Sequence, residues 1–338
     1  MFINEAWRFR ELKKFENRLV WHINDYCNFG CSYCFFPKFD KEDPAVGQKS
    51  PQEIYEAFKK TGMNWHLFIA GGEPLLYPNF IELVNLLKPE HPIQISTNLY
   101  NKNVKKFAEE VSPENIIVIN ASLHLLHHND KSLKKFLQNY HLFLDKGFPM
   151  AVSYVTYPPL FDRIKEDFEF LKNEGVQYII PLTFHGMHEG KKYPGNYTYK
   201  QIQTISEIYQ EPLELLVSMQ KMNFENQMCK AGKNYFHMDL HGEVSRCCTI
   251  KEESYGNIYR GTFAPAKVPK PCTSNICNDH CHGMMSLIEE PKAPEFGLVG
   301  KGYSLLSDVQ NFLSPAKKQK HFSTAPAEVQ KEFIRLTP

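Results

Sequence analysis

The sequence predicts an α/β fold, a partial (β/α)6 barrel followed by a small, cysteine-rich C-terminal domain. Between about residues 19 and 182, six short apolar runs alternate with amphipathic segments, which is typical of parallel β/α units with right-handed crossovers. The nine cysteines form two groups, three in residues 27–34 and six in residues 229–281. Six units are too few for the usual closed eight-fold barrel, so we expect an open or partial one.

The six apolar runs are rich in β-branched residues and are bounded by turn residues, as buried strands are. The carboxyl ends of parallel strands meet at one edge of a sheet, so we expect the chemistry in the loops that follow them. The strands are predicted at residues 19–24, 66–70, 93–96, 116–122, 150–156 and 178–182.

Helices are predicted in the gaps between the strands. Ser50-Pro51-Gln52-Glu53 has an N-cap serine, a proline at the first helical position and a glutamate at the third. This capping box opens a helix that runs through Thr61, and Gly175 is expected to end the helix at 160–173. Further helices are predicted at 79–87, 104–111, 132–146, 198–222 and 326–335.

These elements divide the chain into four parts. An N-terminal extension (1–18) precedes the barrel (19–222), and a region with a predicted hairpin around Gly242 and Gly256 follows (223–285). The last part (286–338) is a tail that contains Pro291, Pro294, Pro315 and Pro326 and a predicted helix, and we assign no chemistry to it.

Composition limits the classes of function. The 338 residues are 42% hydrophobic, enough for a large core, and the formal charge of +1 gives no global field for nucleic acid or an anionic membrane. No apolar run approaches the roughly 20 residues that cross a bilayer. The N-terminal residues show no signal-peptide pattern. Nine cysteines without such a signal predict a reducing, cytoplasmic compartment and metal or redox ligation rather than disulfides.

The first cysteine group follows the first predicted strand directly. Cys27, Cys31 and Cys34 can hold three corners of a four-iron cluster, and the short loop offers no fourth protein ligand. An iron with an open site can bind a substrate or cosubstrate. The alternative is a zinc loop, although zinc usually takes four protein ligands in paired Cys-x2-Cys units or with histidine.

A second motif, Ala70-Gly71-Gly72-Glu73-Pro74, ends the second predicted strand. Paired glycines let the backbone approach a ligand closely, and a glutamate can accept hydrogen bonds from an ammonium group. The alternative is an ordinary glycine-rich turn before a helix. The motif follows the strand next to the cysteine loop, on the same predicted face.

With these two motifs at the ends of successive predicted strands, residues 19–182 resemble the radical S-adenosylmethionine (radical SAM) superfamily. Its signature is Cys-x3-Cys-x2-Cys after the first strand, with an aromatic residue before the third cysteine, here Tyr33, and Gly-Gly-Glu-Pro after the second strand. The resemblance implies a partial barrel with a [4Fe–4S] cluster on Cys27, Cys31 and Cys34. The amino and carboxylate groups of S-adenosylmethionine would fill the vacant iron site.

The resemblance also implies roles for matching positions. Gly71, Gly72 and Glu73 would hold the methionine amino group, and the backbone at Tyr33 would contact the adenine edge. Three strand-end residues would contact the cosubstrate, although each could also be an ordinary polar strand end; these are Ser96 and Asn98 after the third strand and Ser122 after the fourth.

The implied chemistry is electron injection from a low-potential cluster. The reduced cluster would donate one electron to the sulfonium, giving methionine and a 5′-deoxyadenosyl radical that removes a hydrogen atom from an unactivated carbon. A low-potential reductase such as flavodoxin or ferredoxin would be the partner protein. We expect no nucleic-acid or membrane partner.

The second cysteine group is similar to the SPASM or shorter twitch extension of the superfamily, which carries auxiliary iron–sulfur clusters. Cys229, Gly242 and Cys247 fit its spacing, but the downstream part has fewer cysteines than the longer SPASM pattern. We therefore expect one auxiliary cluster, of the [4Fe–4S] type, on Cys229, Cys247 and two of Cys272, Cys277 and Cys281. A zinc knuckle with His280 or His282 is the alternative.

Two residues are candidates for catalytic roles. Cys248 is the spare thiol, which is either a hydrogen-atom donor, a packed side chain or an alternative ligand. His124 follows the fourth strand with His127 and His128, and one of the three could act as acid or base if it faces the cleft.

The substrate is expected to be small and polar. Residues 185–194 follow the sixth strand, and their His, Lys and Tyr side chains could bind phosphate or sugar hydroxyls. The alternative is that this segment is a solvated hairpin. Only about 18 residues precede the first strand, too few for a leader-peptide-binding module. We therefore expect a sugar-like or nucleotide-sugar substrate that is dehydrogenated, epimerised or cleaved by elimination. The alternatives are a radical SAM enzyme that modifies peptides and a non-catalytic zinc or iron module.

Overall fold

A nine-stranded sheet organises the part of the chain that the computed structural model describes, namely residues 15–34, 49–209 and 212–278. Six strands run parallel in sequence order through the sheet. They are β1 Asn17–His22, β2 Trp65–Ala70, β3 Ile93–Thr97, β4 Ile116–Leu123, β5 Met150–Thr156 and β6 Ile179–Thr183. The expected α/β fold with a mostly parallel sheet is confirmed, whereas closure of these strands into a partial barrel stays a prediction.

Helices connect the parallel strands as predicted. The capping box at Ser50 is present, because the Glu53 amide donates to Ser50 Oγ (3.3 Å) and the Ser50 amide donates to Glu53 Oε2 (2.8 Å). Gly175, with φ +82°, follows the fifth helix. The helices are α1 Pro51–Lys60, α2 Phe80–Leu87, α3 Val104–Glu110, α4 Asp130–Asp145, α5 Ile164–Asn173, α6 Tyr199–Ile208 and α7 Pro212–Ser218.

The single helix expected at 198–222 is wrong, because the chain forms the separate helices α6 and α7 there. Pro212 is the first residue of α7. Proline has no amide hydrogen and its ring clashes with the preceding turn, so it begins a helix readily but does not continue one. The fifth helix starts at Ile164, later than predicted, because a short 3₁₀ turn, Pro158–Leu160, precedes it.

The C-terminal region extends the same sheet. Strand β10 (Tyr235–Met238) pairs with β1 in parallel, and β11 (Glu243–Ser245) and β12 (Ser254–Asn257) follow as antiparallel neighbours. The predicted hairpin around Gly242 is therefore present. Two small sheets complete the described strands, β7 (Gly186–His188) with β8 (Lys191–Tyr193), and β9 (Met228–Cys229) with β13 (Lys270–Pro271).

The two faces of the sheet differ in character. One face packs its apolar residues, such as Trp21, Ile69 and Ile95, against the helices in the main core. On the opposite face, the described residues form two smaller apolar clusters, one around Val118, Ala151 and Ile180 and one that includes Val20 and Tyr235. None of the helices in the described ranges is both long and apolar enough to cross a membrane.

Several sequence predictions lie outside the described residues. They are most of the N-terminal extension, the C-terminal tail with its helix, Cys281, His280 and His282.

Candidate functional site

The cysteine loop follows the carboxyl end of β1, as predicted. Cys31 is buried, Cys27 is half-buried and Cys34 is exposed. The Cys34 amide donates to the Cys31 carbonyl (3.1 Å), which turns the chain between these two residues. The Phe29 amide donates to Cys27 Sγ (3.4 Å), and Asn98 Nδ2 lies 3.9 Å from the same sulfur.

Two thiols of this loop, those of Cys27 and Cys31, resist ionisation. Burial, together with the neighbouring Cys34 and Cys27, raises the pKa of the Cys31 thiol to about 12. Burial also raises the pKa of Cys27. Thiolates in such a site need a compensating cation, and metal coordination removes the thiol proton outright. Among the described residues, no three His, Cys, Asp or Glu side chains are close enough to hold a single metal ion.

The paired glycines pack against the segment that enters the cysteine loop. A Cβ on Gly71 would lie 2.5 Å from the Asn24 carbonyl oxygen, and one on Gly72 would lie 2.1 Å from the Tyr26 carbonyl oxygen. The backbones are also bonded, because the Gly72 amide donates to Asn24 O and the Glu73 amide donates to Tyr26 O, both at 2.7 Å. The close approach that these glycines permit therefore joins β2 to the cysteine loop.

Glu73 connects the ends of β2 and β3. Its carboxylate is only 1% exposed and accepts hydrogen bonds from Thr97 Oγ1 (2.6 Å), the Asn98 amide (2.7 Å) and the Leu75 amide (3.1 Å). Burial raises the pKa of this carboxyl group to about 7, against the lowering effect of these donors. Three donors from the chain already hold the carboxylate, and its role toward an ammonium group stays a prediction.

The other polar strand ends lie together as expected. Ser96 Oγ and Ser122 Oγ are 3.1 Å apart, so the ends of β3 and β4 are bonded through their hydroxyl groups. Asn98 reaches the cysteine loop, where its Nδ2 donates to Asn28 Oδ1 (2.8 Å). Asn28 in turn donates to the Tyr100 carbonyl (2.5 Å). Asn28 and Thr97 were not predicted, since a single Asn in a loop or Thr at a strand end carries no signal by itself.

Tyr33 and His124 form a pair across the site. The Tyr33 hydroxyl and His124 Nδ1 are 3.0 Å apart, and the Tyr33 ring packs on Tyr157 with centroids 4.8 Å apart. Burial, with the nearby His127 and His128, lowers the pKa of His124 to about 4, so its ring is neutral near pH 7. His127 is exposed and stacks on Phe29, while His128 contacts Ser132. Tyr157 was not predicted.

The second cysteine group also gathers in space. Cys229, Cys247 and Cys272 share a small cluster with Ala231 and Ile250. Two of these sulfurs accept backbone amides, Cys229 from Ala231 (3.4 Å) and Cys247 from Ile250 (3.3 Å). Cys248 and Cys277 are half-buried, and the Asn278 amide donates to Thr249 Oγ1 (2.9 Å), which brings the Cys277 segment beside the Cys248 segment.

Comparison with known proteins gives a family match. Residues 21–171 match the model of the Radical SAM superfamily. The 7-carboxy-7-deazaguanine synthase of Clostridium acetobutylicum is 34% identical over 74 residues, which are 21% of this chain and 33% of that protein. The S-adenosylmethionine-dependent nucleotide dehydratase of Selenomonas ruminantium is 36% identical over 64 residues, 19% of this chain and 23% of that protein. The chain thus spans a third or less of these relatives.

A solved structure shares the fold over most of the chain. It is native anSMEcpe with bound AdoMet and Kp18Cys peptide, and it aligns with a TM-score of 0.57 at 14% sequence identity. The alignment covers 90% of this chain and 99% of that chain. Identity at this level shows the fold alone.

The cysteine loop fits the cofactors that this family uses. Three thiols sit in one loop, burial raises the pKa of Cys27 and Cys31, and Cys27 receives two N–H donors of the kind that tune iron–sulfur clusters. The loop is also fastened to the Gly-Gly-Glu segment by backbone hydrogen bonds. Residues 21–171 therefore resemble a Radical SAM superfamily domain, and the cofactors that this family implies are a [4Fe–4S] cluster and S-adenosylmethionine.

Proposed function

We propose that the protein is a radical SAM enzyme that acts on a small, polar, sugar-like or nucleotide-sugar substrate. When bound, the cluster and S-adenosylmethionine supply a 5′-deoxyadenosyl radical that can take a hydrogen atom from an unactivated carbon. The observation that carries this proposal is the network from Cys27 through Asn98 to Glu73, which ties the cysteine loop to the ends of β2 and β3.

The proposed residue roles follow from position in this network. Cys27, Cys31 and Cys34 hold the cluster. Gly71, Gly72 and Glu73 lie on the neighbouring strand end, where they are proposed to hold the amino group of S-adenosylmethionine. The hydroxyl pair of Ser96 and Ser122, with Asn98, lines the adjacent strand ends and is proposed to orient the same cosubstrate. Tyr33, fixed by His124, is proposed to present its backbone to the adenine.

An auxiliary [4Fe–4S] cluster is proposed at the second cysteine group. Cys229, Cys247 and Cys272 already share one cluster of side chains, and backbone amides donate to two of the sulfurs. Cys277 or Cys281 is proposed as the fourth ligand. Cys248 remains the proposed spare thiol, and His124 the proposed acid or base. A flavodoxin or ferredoxin is the proposed electron donor. Because Cys34 is exposed, a cluster bound to it would have one edge near the protein surface, where such a donor could dock.

Two features support a small substrate. One aligned relative is named a nucleotide dehydratase, and a nucleotide contains a sugar. The face of the sheet at β3 and β4 also presents small neutral polar groups, such as Ser96 and Ser122, which suit hydroxyl groups.

The second candidate is a radical SAM enzyme that modifies peptides. The structure of anSMEcpe contains a peptide and aligns with 90% of this chain. The two candidates differ in which class of compound stimulates cleavage of S-adenosylmethionine, and peptide-dependent stimulation would favour the second.

Iron counting after anaerobic reconstitution tests the proposal. The wild-type chain should bind about eight irons, and the Cys27/Cys31/Cys34→Ala variant about four. With dithionite and S-adenosylmethionine, only the wild type should form 5′-deoxyadenosine. Zinc without visible absorption, or the absence of 5′-deoxyadenosine from the reconstituted wild type, would contradict the proposal.

A further inference from the structure

The central strands carry a row of neutral polar side chains on the face opposite the helices. Alternate residues of a strand point to opposite faces, and strand register identifies those that share one face. Ser96 pairs with Asn120, and Ser122 pairs with Ser153, so these four residues share a face. Gln94 lies two residues before Ser96 on β3, so it shares the same face as these four residues. We call this set, Gln94, Ser96, Asn120, Ser122 and Ser153, the polar row.

Two amides of the polar row are buried without hydrogen bonds. Gln94 is fully buried, and within the described part of the chain neither its Oε1 nor its Nε2 has a partner. Asn120 is 4% exposed, and its Oδ1 likewise has no partner among the described residues. Buried amides in native proteins are almost always paired, because leaving them unpaired opposes folding. Three unmatched polar atoms on one face therefore point to a ligand that supplies the missing donors and acceptors.

The surroundings define the chemistry of that ligand. The residues that share this face on β3 to β6 are all uncharged. The charged or titratable ones are on the neighbouring strands, namely His66 on β2, Arg18 and His22 on β1, and Tyr235 and His237 on β10. A carboxylate or phosphate at the row would meet no cationic side chain on the described strands β3 to β6. Val118 and Ala151 flank Asn120 and offer an apolar floor to the C–H surface of a ring.

We propose that Gln94 and Asn120 bind the neutral, hydroxyl-bearing ring of the substrate. A side-chain amide offers a donor and an acceptor together, which matches two neighbouring hydroxyl groups. The hydroxyl pair of Ser96 and Ser122 lies in the same row, so the ring would stand beside the proposed cosubstrate site. The inference rests on the proposed function, because it places the substrate of that same site.

Thermal unfolding of the reconstituted protein tests the proposal with defined probes. The probes are D-glucose, N-acetyl-D-glucosamine and myo-inositol, each at about 20 mM. At least one of them should raise the melting temperature of the wild type by about 2 °C or more. The isosteric variants Gln94→Met and Asn120→Leu should lose this rise, while their ligand-free melting temperatures stay equal to or above that of the wild type, since each removes an unpaired polar group. Gln94→Asn keeps an amide but displaces it, so it should weaken the thermal response. This variant replaces Gln94→Met in the test if Gln94→Met does not fold. Gln203→Met, at an exposed position on α6, is the matched control and should respond as the wild type does.

The proposal is overturned if none of the three ring compounds stabilises the wild type, or if the variants respond fully. Stabilisation by N-acetylalanine amide instead of the ring compounds would also overturn it, in favour of a peptide. Failure of the proposed function is seen separately, as the absence of 5′-deoxyadenosine from the wild type without any added substrate. The control Gln203→Met should match the wild type in that uncoupled assay.

Discussion

Glu73 places an ionisable group in the interior of the site, with three donors around its carboxylate. Its pKa in the folded chain is about 7, against an ordinary value of 4.5. Between these two values the folded chain keeps a proton that the unfolded chain has lost. The contribution of Glu73 to the free energy of unfolding is therefore greatest below pH 4.5 and falls as the pH rises toward 7, by up to about 3 kcal/mol.

We therefore expect the Glu73→Gln variant to lack this pH dependence. Buried histidines such as His124, whose pKa is lowered, contribute a slope of opposite sign, so the difference between wild type and variant is the informative quantity. Urea unfolding of the iron-free chains at several pH values from 4.5 to 7 measures it. The exposed Glu169→Gln on α5 is the control and should follow the wild type. A constant difference between wild type and Glu73→Gln over this range would contradict the prediction.

Gly72 supports a second prediction at this scale. In Gly72→Ala the new Cβ would meet the Tyr26 carbonyl oxygen at 2.1 Å, one residue before Cys27, and backbone atoms cannot yield as a flexible side chain can. We expect the cysteine loop to be displaced and the iron content after reconstitution to fall by about four. Gly30→Ala is a matched control in the loop itself, because a Cβ there has no atom within 4 Å. Full iron content in Gly72→Ala would contradict the prediction.

At the scale of elements, strand positions were predictable because each strand is a short apolar run bounded by turn residues. The predicted strand at 150–156 coincides with β5, and the first helix was fixed by its capping box. Pro212 also indicates the break between α6 and α7. The amphipathic pattern continues across this proline, however, and it led to the prediction of a single helix. The contacts of Glu73 with β3 and the pairing of Tyr33 with His124 were not predictable. They depend on which strand ends lie side by side, and one sequence does not specify that register.

The hairpin of β7 and β8 gives a prediction of this kind. Tyr157, after β5, brings its hydroxyl within 2.9 Å of His188 Nδ1 on the hairpin, while its ring packs on Tyr33. Tyr157→Phe keeps the ring and removes the hydrogen bond, at a cost of about 1 kcal/mol. We expect amide hydrogen exchange in residues 186–193 to become about five-fold faster. Tyr55→Phe, which removes a surface hydrogen bond to Glu90, should leave this exchange unchanged. Unchanged exchange in Tyr157→Phe would show that the bond does not hold the hairpin.

At the scale of the whole molecule, β1 joins the two cysteine regions. Its carboxyl end leads into Cys27, one edge pairs with β2, and the other edge pairs with β10 along four residues. The junction is also packed, because the Trp65 and Phe236 rings lie 5.9 Å apart and both side chains are fully buried. Strands β10 to β12 of the second cysteine region are therefore part of the sheet that positions the first.

We therefore expect a chain ending at residue 222 not to fold independently. Removing β10 would expose the edge of β1 and the apolar surface of Trp65, and an uncovered strand edge favours aggregation. Size-exclusion chromatography and near-ultraviolet circular dichroism should show aggregated material without fixed aromatic packing. A Cys229/Cys247/Cys272→Ala variant distinguishes the effect of losing β10 from the effect of losing the thiols. It keeps β10, so it should stay monomeric and bind about four irons. A monomeric, well-packed chain of residues 1–222 that binds about four irons would show instead that the two cysteine regions fold separately.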